Sequence, residues 1–230
     1  MKIADSNKRG VVYIVVGEKY TEMAISSAQS MKQHNPDLPI HLFTDQHHTQ
    51  SRYVDSSSLI DNPHKRSKVD YISESPFEET LYLDADTFIL QNIEELYITL
   101  SKFDLAIAHA HKRNAKATLQ KWNEDIPYAF PQMNSGVILY KKNRATNKLF
   151  QKWKSAYHNN NFKKDQVTLR ELLWKSNLRF LILPPEYNIR FPKYMEFWST
   201  EEVKPKILHY EEFTMFFNSI QKLKNKSLKK

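Results

Sequence analysis

Cysteine is absent from this chain of 230 residues, and glycine occurs only three times. Without cysteine the protein has no disulfide framework, no thiolate zinc site and no cysteine nucleophile. No glycine has a second one at the spacing of a dinucleotide-binding or P-loop motif, which argues against those phosphate loops. No apolar run is long enough to span a bilayer, and the polar N-terminus lacks a signal-peptide core. We therefore expect a soluble cytoplasmic protein.

Basic residues outnumber acidic ones, with 34 Lys and Arg against 26 Asp and Glu and a formal net charge of +8. Much of this excess lies in the last residues, 216–230, which we interpret as a basic C-terminal tail after a single domain over 1–215. Such a tail is either simply solvated or contacts an anionic substrate or the surface of a membrane, to which the protein would then be peripheral. No nucleic-acid-binding module is recognisable, so no nucleic-acid partner is expected.

Short apolar, β-branched runs alternate with segments of helical period, which predicts an α/β domain with a mostly parallel sheet. Residues 46–62 are polar and predict a loop. The predicted strands are 11–16, 40–43, 80–83, 104–108, 137–140, 179–183 and 206–209. The predicted helices are 21–34, capped by Thr21, and 65–73, 93–100, 147–157 and 166–175.

Two aspartates follow the third predicted strand directly, in the sequence Leu-Tyr-Leu-Asp-Ala-Asp over residues 81–86. Charge is not tolerated deep inside a buried strand, so Asp84 and Asp86 are expected where the strand leaves the core. Residues two apart in an extended chain point the same way, and two like charges repel unless a cation lies between them. The pattern predicts a divalent metal site at the sheet edge where α/β proteins bind ligands. The alternative is a solvated turn in which Asp86 caps the following segment.

Small polar residues, Asn134-Ser135-Gly136, lead into the fifth predicted strand. They would let backbone and amide groups approach a ligand closely, or they form an ordinary turn. Asp165, followed by Gln166, stands where a helix N-cap belongs, and capping alone would explain it.

Two further residues become candidate site residues only if they lie close to the aspartate pair. A single histidine is commonly structural, but His209, at the end of a late strand, would suit Mn²⁺ as a third ligand beside two carboxylates. Lys68 lies on the helix before the pair, where a solvated helix face is the alternative.

These features occur in one order, and that order resembles the GT-A glycosyltransferases of family 8, the glycogenin-like and bacterial galactosyltransferase-like enzymes. The similarity extends over residues 11–210. Lys68 precedes the aspartate pair at the family's spacing, and a similar helix start follows the pair. The matching segments are Ile-Leu-Gln-Asn-Ile-Glu-Glu-Leu (89–96), Asn-Ser-Gly-Val (134–137), Asp-Gln (165–166) and Lys-Ile-Leu-His-Tyr (206–210).

The resemblance implies a single GT-A, Rossmann-like domain with a mostly parallel central sheet flanked by helices. It implies that Asp84, Asp86 and His209 hold Mn²⁺ or Mg²⁺. The ion would bridge the two phosphates of a nucleotide sugar, for which a UDP-sugar is the expected donor.

The resemblance also gives roles to donor-pocket residues. Tyr20 is similar to a tyrosine that stacks on uracil, and Glu18 and Asp45 would contact the base or ribose. Lys68 would reach the phosphates or the donor sugar. Four polar residues would line that sugar: Asn134, Ser135, Asp165 and Gln166. The last two, with the lysine, are candidate catalytic residues, because an oxocarbenium-like sugar needs a nearby carboxylate or amide oxygen.

The chain departs from the family at two places. After the late histidine, Glu-Glu-Phe-Thr (211–214) replaces a glycine and the Lys-Pro-Trp that clamps the diphosphate, and Phe162 replaces an aspartate. Family 8 enzymes retain anomeric configuration and related GT-A families invert it, and both outcomes stay open here.

The predicted function is metal-dependent transfer of a hexose or pentose from a nucleotide sugar to an acceptor hydroxyl on a glycan or glycoconjugate. One alternative is a nucleotidyltransferase that makes nucleotide sugars, although the Gly-rich N-terminal loop of those enzymes is reduced here to Gly17. The other is a non-catalytic GT-A-like protein that binds an acidic surface or a partner, which would not need three metal ligands.

Overall fold

A computed structural model describes residues 8–47, 51–116, 118–160, 162–191, 193–199, 201–210 and 212. Strands and helices alternate along these residues. The strands are β1 (Arg9–Val15), β2 (Ile40–Thr44), β3 (Ser56–Leu59), β4 (Glu79–Leu83), β5 (Thr87–Ile89), β6 (Leu105–His109), β7 (Met133–Lys141), β8 (Phe180–Leu183) and β9 (Ile207–His209). The α-helices are α1 (Glu18–His34), α2 (Lys68–Tyr71), α3 (Glu95–Thr99), α4 (Arg144–His158), α5 (Gln166–Trp174) and α6 (Lys193–Phe197).

Seven of the strands form one sheet in the order β3-β2-β1-β4-β7-β6-β8. Strand β7 is antiparallel to both of its neighbours, and the other pairings are parallel. The carboxyl ends of the parallel strands therefore meet at one edge of the sheet. The first residues of β7 lie at the same edge. The predicted α/β fold with a mostly parallel sheet is confirmed.

Apolar side chains cover both faces of the central strands. In β1, Val11 and Tyr13 pack into one cluster with α1, whereas Val12 and Ile14 pack into the other with α4 and α5. Alternate residues of a strand point to opposite faces, so a strand covered on both sides reads as a continuous apolar run. This arrangement explains why β1 and β4 are easily recognised in the sequence.

A second, two-stranded sheet lies outside the large one. Strand β5 pairs antiparallel with β9 and places Thr87 opposite His209. The hydroxyl of Thr87 also donates to the backbone carbonyl oxygen of Asp84 at 2.8 Å. Strand β9 is predicted from the sequence, but β5 is too short, at three residues after a charged turn, to give a periodic signal. The small sheet brings a late part of the chain to the residues that follow β4.

The prediction of a loop over 46–62 is wrong where β3 lies. All four residues of β3 are exposed, and its sequence is Ser-Ser-Ser-Leu. Backbone pairing with β2 holds it at the sheet edge, together with a 2.7 Å contact between His41 Nδ1 and Ser56 Oγ. A strand held by pairing without burial has no apolar pattern to detect.

Several predicted helix boundaries are also wrong. Helix α1 begins before the predicted cap Thr21, because Gly17, with a φ of 90°, turns the chain out of β1 directly into the helix. Thr21 is buried instead, and its hydroxyl lies 2.8 Å from that of Thr44. The helix predicted over 65–73 is reduced to α2, followed by a 3₁₀ turn over Ile72–Glu74.

Helix α4 begins three residues before its predicted start because Asn143 caps it. The side-chain oxygen of Asn143 accepts hydrogen bonds from the backbone N–H groups of Ala145 at 2.9 Å and Thr146 at 3.0 Å. The hydroxyl of Thr146 accepts the backbone N–H of Asn143 at 3.1 Å in return. This reciprocal capping box satisfies donors that a helix start otherwise leaves unpaired.

Within the described ranges, no helix has both the length and the apolar composition needed to cross a bilayer. The basic tail over 216–230 lies outside the described residues. Its contact with an anionic surface and the domain boundary at 215 stay predictions.

We expect Asn143→Ala to lower the free energy of unfolding by about 1–2 kcal/mol, because two backbone donors lose their acceptor. Urea denaturation measures this change. Lys148→Ala, at an exposed position of the same helix, should change stability by less than about 0.5 kcal/mol. An Asn143→Ala protein as stable as the wild type would contradict the role of the cap.

Candidate active site

The two aspartates lie where β4 leaves the sheet. The backbone N–H of Asp84 donates to the carbonyl oxygen of Gly136 on β7 at 2.8 Å, directly after the last residue of β4. After Asp84 the chain turns through Ala85 and Asp86 into β5. The predicted position of the pair, at the carboxyl end of a buried strand, matches the structure.

His209 lies against both carboxylates. Its Nε2 atom is 3.1 Å from Oδ1 of Asp86 and 3.6 Å from Oδ2 of Asp84. One ligand atom from each residue lies within 4.8 Å of the other two. Two carboxylates and an imidazole form a donor set that suits Mn²⁺. The structure therefore brings the three predicted ligands together around a space for one cation.

Asn188 orients the ring of His209. Its side-chain oxygen lies 2.6 Å from Nδ1 of the imidazole, and both residues are buried. An amide oxygen can only accept, so Nδ1 carries a proton that it donates to Asn188, and Nε2 is the ring nitrogen that faces the carboxylates. Burial lowers the pKa of His209, but Asp86 and Asp84 outweigh it and raise the pKa above its usual value. The negative field that raises this pKa also attracts a cation.

Gly136 has no side chain that would collide with His209 and Asp84. A Cβ atom at this position would lie 2.1 Å from Cε1 of His209 and 2.5 Å from Oδ2 of Asp84. Only glycine lets the backbone of β7 approach the two ligands this closely. The Asn134-Ser135-Gly136 segment is thus a close-approach segment, as one of its two sequence interpretations predicts.

Lys68 is buried and lies against the first aspartate. Its Nζ atom is 3.1 Å from Oδ1 of Asp84 and 3.1 Å from the carbonyl oxygen of Ser135. The hydroxyl of Tyr82 donates to the same oxygen of Asp84 at 2.6 Å. Burial would raise the pKa of Asp84, but the Lys68 ammonium and His209 hold it well below its usual range. Asp84 is therefore a carboxylate anion fixed in one orientation.

Asp165 precedes α5, but its side chain does not cap that helix. The carboxylate is buried and accepts a hydrogen bond from the hydroxyl of Ser135 at 2.6 Å. Its oxygens lie 3.3 Å from Nε of Arg66 and 3.8 Å from Nζ of Lys68. Simple capping is therefore wrong for Asp165, which links α5 to the polar start of β7.

The aspartate pair and His209 open onto a cavity of about 1030 Å³. Tyr20, Asn134 and Gln166 also line this cavity, as the resemblance implies. Basic side chains outnumber acidic ones in its lining, which favours an anionic ligand. The basic residues are Lys65, Arg66, Lys68, Lys112, Lys164 and Arg190, and the acidic ones are Asp84 and Asp86.

Glu18 and Asp45 are not among the cavity-lining residues. Glu18 is the first, exposed residue of α1. Asp45 accepts the backbone N–H of Gly17 and the side-chain amide of Gln46, both at 2.8 Å. These bonds outweigh burial and lower the pKa of Asp45. Asp45 thus holds the turn between β1 and α1, and its contact with a base or ribose stays a prediction.

Three site residues, Arg66, Asn188 and Arg190, are not singled out by the sequence. Arg66 stands in a basic run over residues 64–68, which is typical of any solvated surface. Asn188 and Arg190 occupy an irregular segment between predicted strands, and their approach to the metal ligands depends on long-range packing. Their sequence signal is no more than an Asn-Ile-Arg pattern with two polar residues on one face.

A second group of metal-ligand side chains, His64, Asp70 and His158, lies near the start of α2. Nδ1 of His64 accepts the backbone N–H of Arg66 at 3.2 Å, so its proton is on Nε2 and is donated to Asp70. His158 lies 2.8 Å from the other oxygen of Asp70, and the Lys154 ammonium lies 3.3 Å from it. The protonated nitrogen and the ammonium both disfavour a metal ion. These contacts instead fix the segment that carries the site lysine.

Residues 79–229 match the sequence profile of a family described as nucleotide-diphospho-sugar transferase. The chain belongs to this family. The matched residues include the aspartate pair, the start of β7, Asp165, Gln166 and His209. No curated protein matches the chain significantly.

Solved structures of glycosyltransferases share the fold of this transferase. The galactosyltransferase LgtC, solved with donor and acceptor sugar analogues, is 15% identical, with a TM-score of 0.64 over 87% of this chain and 86% of that one. Mouse xyloside xylosyltransferase 1 is 13% identical, with a TM-score of 0.58 over 88% of this chain and 97% of that one. GlyE of Streptococcus pneumoniae TIGR4 is 19% identical, with a TM-score of 0.62 over 88% of this chain but 54% of that one. The transferase therefore has the GT-A fold, and its resemblance to family 8 is consistent with LgtC.

We expect Gly136→Ala to weaken Mn²⁺ binding by the transferase by about 100-fold or more, because the added methyl group displaces two ligands. Electron paramagnetic resonance of free Mn²⁺ measures the affinity, and circular dichroism checks folding. Gly17→Ala is the matched control, since an added Cβ there meets no described atom within 4 Å although its φ is 90°. That change should lower stability and leave Mn²⁺ affinity unaltered. Wild-type Mn²⁺ affinity in Gly136→Ala would contradict a metal site here.

Proposed function

We propose that this transferase uses Mn²⁺ or Mg²⁺ to move a hexose or pentose from a UDP-sugar to a hydroxyl group of a carbohydrate or glycoconjugate. The observation that carries the proposal is the convergence of Asp84, Asp86 and His209 at the edge of a basic cavity. The cation would hold a diphosphate, and the basic lining would attract one. Glycosyl transfer from a nucleotide-diphospho-sugar is the activity of the family.

The reaction breaks the bond between the anomeric carbon of the sugar and a diphosphate oxygen, and the acceptor oxygen forms the new bond as its proton is lost. A divalent cation, when bound, stabilises the negative charge of the departing nucleoside diphosphate as a Lewis acid. The side chains of Asp84, Asp86 and His209 would hold that ion. Lys68 contributes positive charge beside Asp84, 3.1 Å from its carboxylate.

The anomeric carbon becomes oxocarbenium-like as the bond to the diphosphate breaks, and nearby oxygen atoms stabilise it. Gln166, the half-buried first residue of α5, lines the cavity and offers an amide oxygen. Asp165 adds a negative charge next to it, fixed by Ser135 at 2.6 Å. Asn134 lines the same wall and would contact the sugar hydroxyls. We assign the sugar contacts to Asn134 and Gln166, whereas Ser135 and Asp165 are buried, are not among the cavity-lining residues and would support them from behind.

The base of the nucleotide would lie toward Tyr20, on the first turn of α1. Tyr20 is 47% exposed and lines the cavity, so a planar base would have access to its ring. Glu18 and Asp45 belong to the same turn region and stay predictions as contacts of the base or ribose.

Calorimetry with UDP tests the proposal. We expect the wild-type protein to bind UDP in the presence of Mn²⁺ and to lose most of this affinity without the metal. Asp86→Ala should weaken UDP binding by at least about 100-fold, since loss of an outer-shell partner alone costs about 10–100-fold in metal affinity. Asp125→Ala, which removes a carboxylate that is 91% exposed and paired with Lys121, should bind UDP as the wild type does.

The same titration separates the alternatives. Preference for a nucleoside triphosphate over UDP would indicate a nucleotidyltransferase. No response to nucleotide or to Mn²⁺ would indicate a non-catalytic binding protein. UDP binding that is independent of metal would contradict the assigned role of the three ligands.

Gln166→Ala should lower the kcat of Mn²⁺-dependent UDP-sugar hydrolysis by about 100-fold while UDP affinity changes by less than about twofold, because the residue acts on the sugar. The donor is first identified by screening nucleotide sugars for this hydrolysis. Gln151→Ala, at an exposed position of α4, is the matched control. Weaker UDP binding with an unchanged kcat would place Gln166 at the nucleotide instead.

A further inference from the structure

Residues 188–190 run beside β9, where Ile189 forms an isolated bridge with Leu208. The backbone N–H of Ile189 donates to the carbonyl of Ile207 at 2.9 Å, and the N–H of His209 donates to the carbonyl of Ile189 at 2.9 Å. On the other side, Nε2 of His111 lies 2.6 Å from the carbonyl oxygen of Asn188. The segment is therefore fixed from both sides, by β9 and by the chain that follows β6.

This segment presents two polar side chains to the metal-ligand group. Asn188 contacts the ring of His209 at 2.6 Å, and Arg190 reaches Asp86, with 3.7 Å between Nη1 and Oδ2. Arg190 also lines the cavity. The same short segment thus fixes one metal ligand and places a guanidinium beside another.

Among the described residues, the guanidinium of Arg190 makes only a long contact with another side chain. A distance of 3.7 Å is too long for a hydrogen bond, and its side chain is 29% exposed. Within the part of the chain that the structure describes, Asp86 is its nearest recorded side-chain partner. A guanidinium carries five N–H donors in a planar fork that matches two phosphate oxygens. Most of these donors therefore remain for a ligand in the cavity.

Lys68 differs from Arg190 in this respect. Its Nζ atom lies 3.1 Å from Asp84, 3.1 Å from the carbonyl oxygen of Ser135 and 3.8 Å from Asp165. Asp84 and the Ser135 carbonyl accept hydrogen bonds from this ammonium group, and Asp165 adds a negative charge at a longer distance. Reaching a ligand would require Lys68 to leave its hydrogen-bond acceptors, whereas among the described residues Arg190 has only a long ion pair to leave.

We infer that Arg190 binds the diphosphate of the nucleotide donor and holds it after the sugar has left. The inference rests on the proposed function, because it presumes a nucleoside diphosphate at the three metal ligands. In the free protein Asp86 keeps the guanidinium beside the metal ligands. When the diphosphate is bound, the guanidinium pairs with its oxygens and offsets the charge that builds on them as the sugar bond breaks.

Calorimetry of Arg190→Gln with uridine, UMP and UDP, each with Mn²⁺, tests this inference. We expect UDP affinity to fall by about 10–100-fold, as for a lost hydrogen-bonded charge pair. UMP affinity should fall less, and any affinity for uridine should not change. Arg190→Lys keeps the charge but loses the planar fork, so its UDP affinity should lie between that of the wild type and that of Arg190→Gln. Arg52→Gln removes an exposed arginine that contacts Tyr53 outside the cavity and should bind UDP as the wild type does.

Mn²⁺ binding without nucleotide distinguishes a phosphate contact from structural damage. Removing a positive charge beside Asp86 should leave Mn²⁺ affinity unchanged or raise it. Joint loss of Mn²⁺ and UDP binding in Arg190→Gln would show that Arg190 only holds the metal-binding side chains in place. That result would overturn the inference. So would an equal loss for uridine and UDP.

The inference and the proposed function fail in different ways. UDP binding that is the same in Arg190→Gln and in the wild type overturns the inference alone. If the wild-type protein does not bind UDP with Mn²⁺, both are overturned.

Discussion

Repulsion between two carboxylates at the end of β4 is the constraint on which the site depends. Asp84 and Asp86 both face Nε2 of His209, at 3.6 Å and 3.1 Å. Cationic side chains offset their charge in the protein itself, Lys68 at Asp84 and Arg190 at Asp86. Carboxylates brought together in a partly buried place need such compensation, and a divalent cation supplies more of it than one side chain does. The two carboxylates therefore need positive charge beside them, from side chains in the free protein and from a divalent cation when one is bound.

Elements distant in sequence supply the other parts of this arrangement. Strand β7 enters the sheet against the direction of its neighbours, so its first residues, including Gly136, lie at the carboxyl end of β4. The pairing of β5 with β9 carries His209 to the aspartates. The side chain of Asn188 then fixes the imidazole. Each of these contacts is made by backbone pairing or a buried hydrogen bond, which gives the ligands little freedom to move apart.

The sequence predicts the α/β class, most strands and the position of the aspartate pair, because these follow from apolar runs and the exclusion of charge from a core. The resemblance adds the pairing of distant residues such as His209, which no local pattern contains. Strands β3 and β5 are missed because one is polar and exposed and the other is three residues long. Arg66, Asn188 and Arg190 are missed because side-chain convergence depends on topology, and a polar residue in an irregular segment has many local explanations. The roles of the site residues in catalysis stay predictions.

Anomalous diffraction at the manganese edge, from crystals grown with Mn²⁺ and UDP, tests the central claim most directly. The account predicts one strong peak between the side chains of Asp84, Asp86 and His209, in contact with oxygens of the UDP diphosphate. A UDP molecule bound in the cavity without a peak at these side chains, or a peak elsewhere with the three groups unliganded, would contradict it.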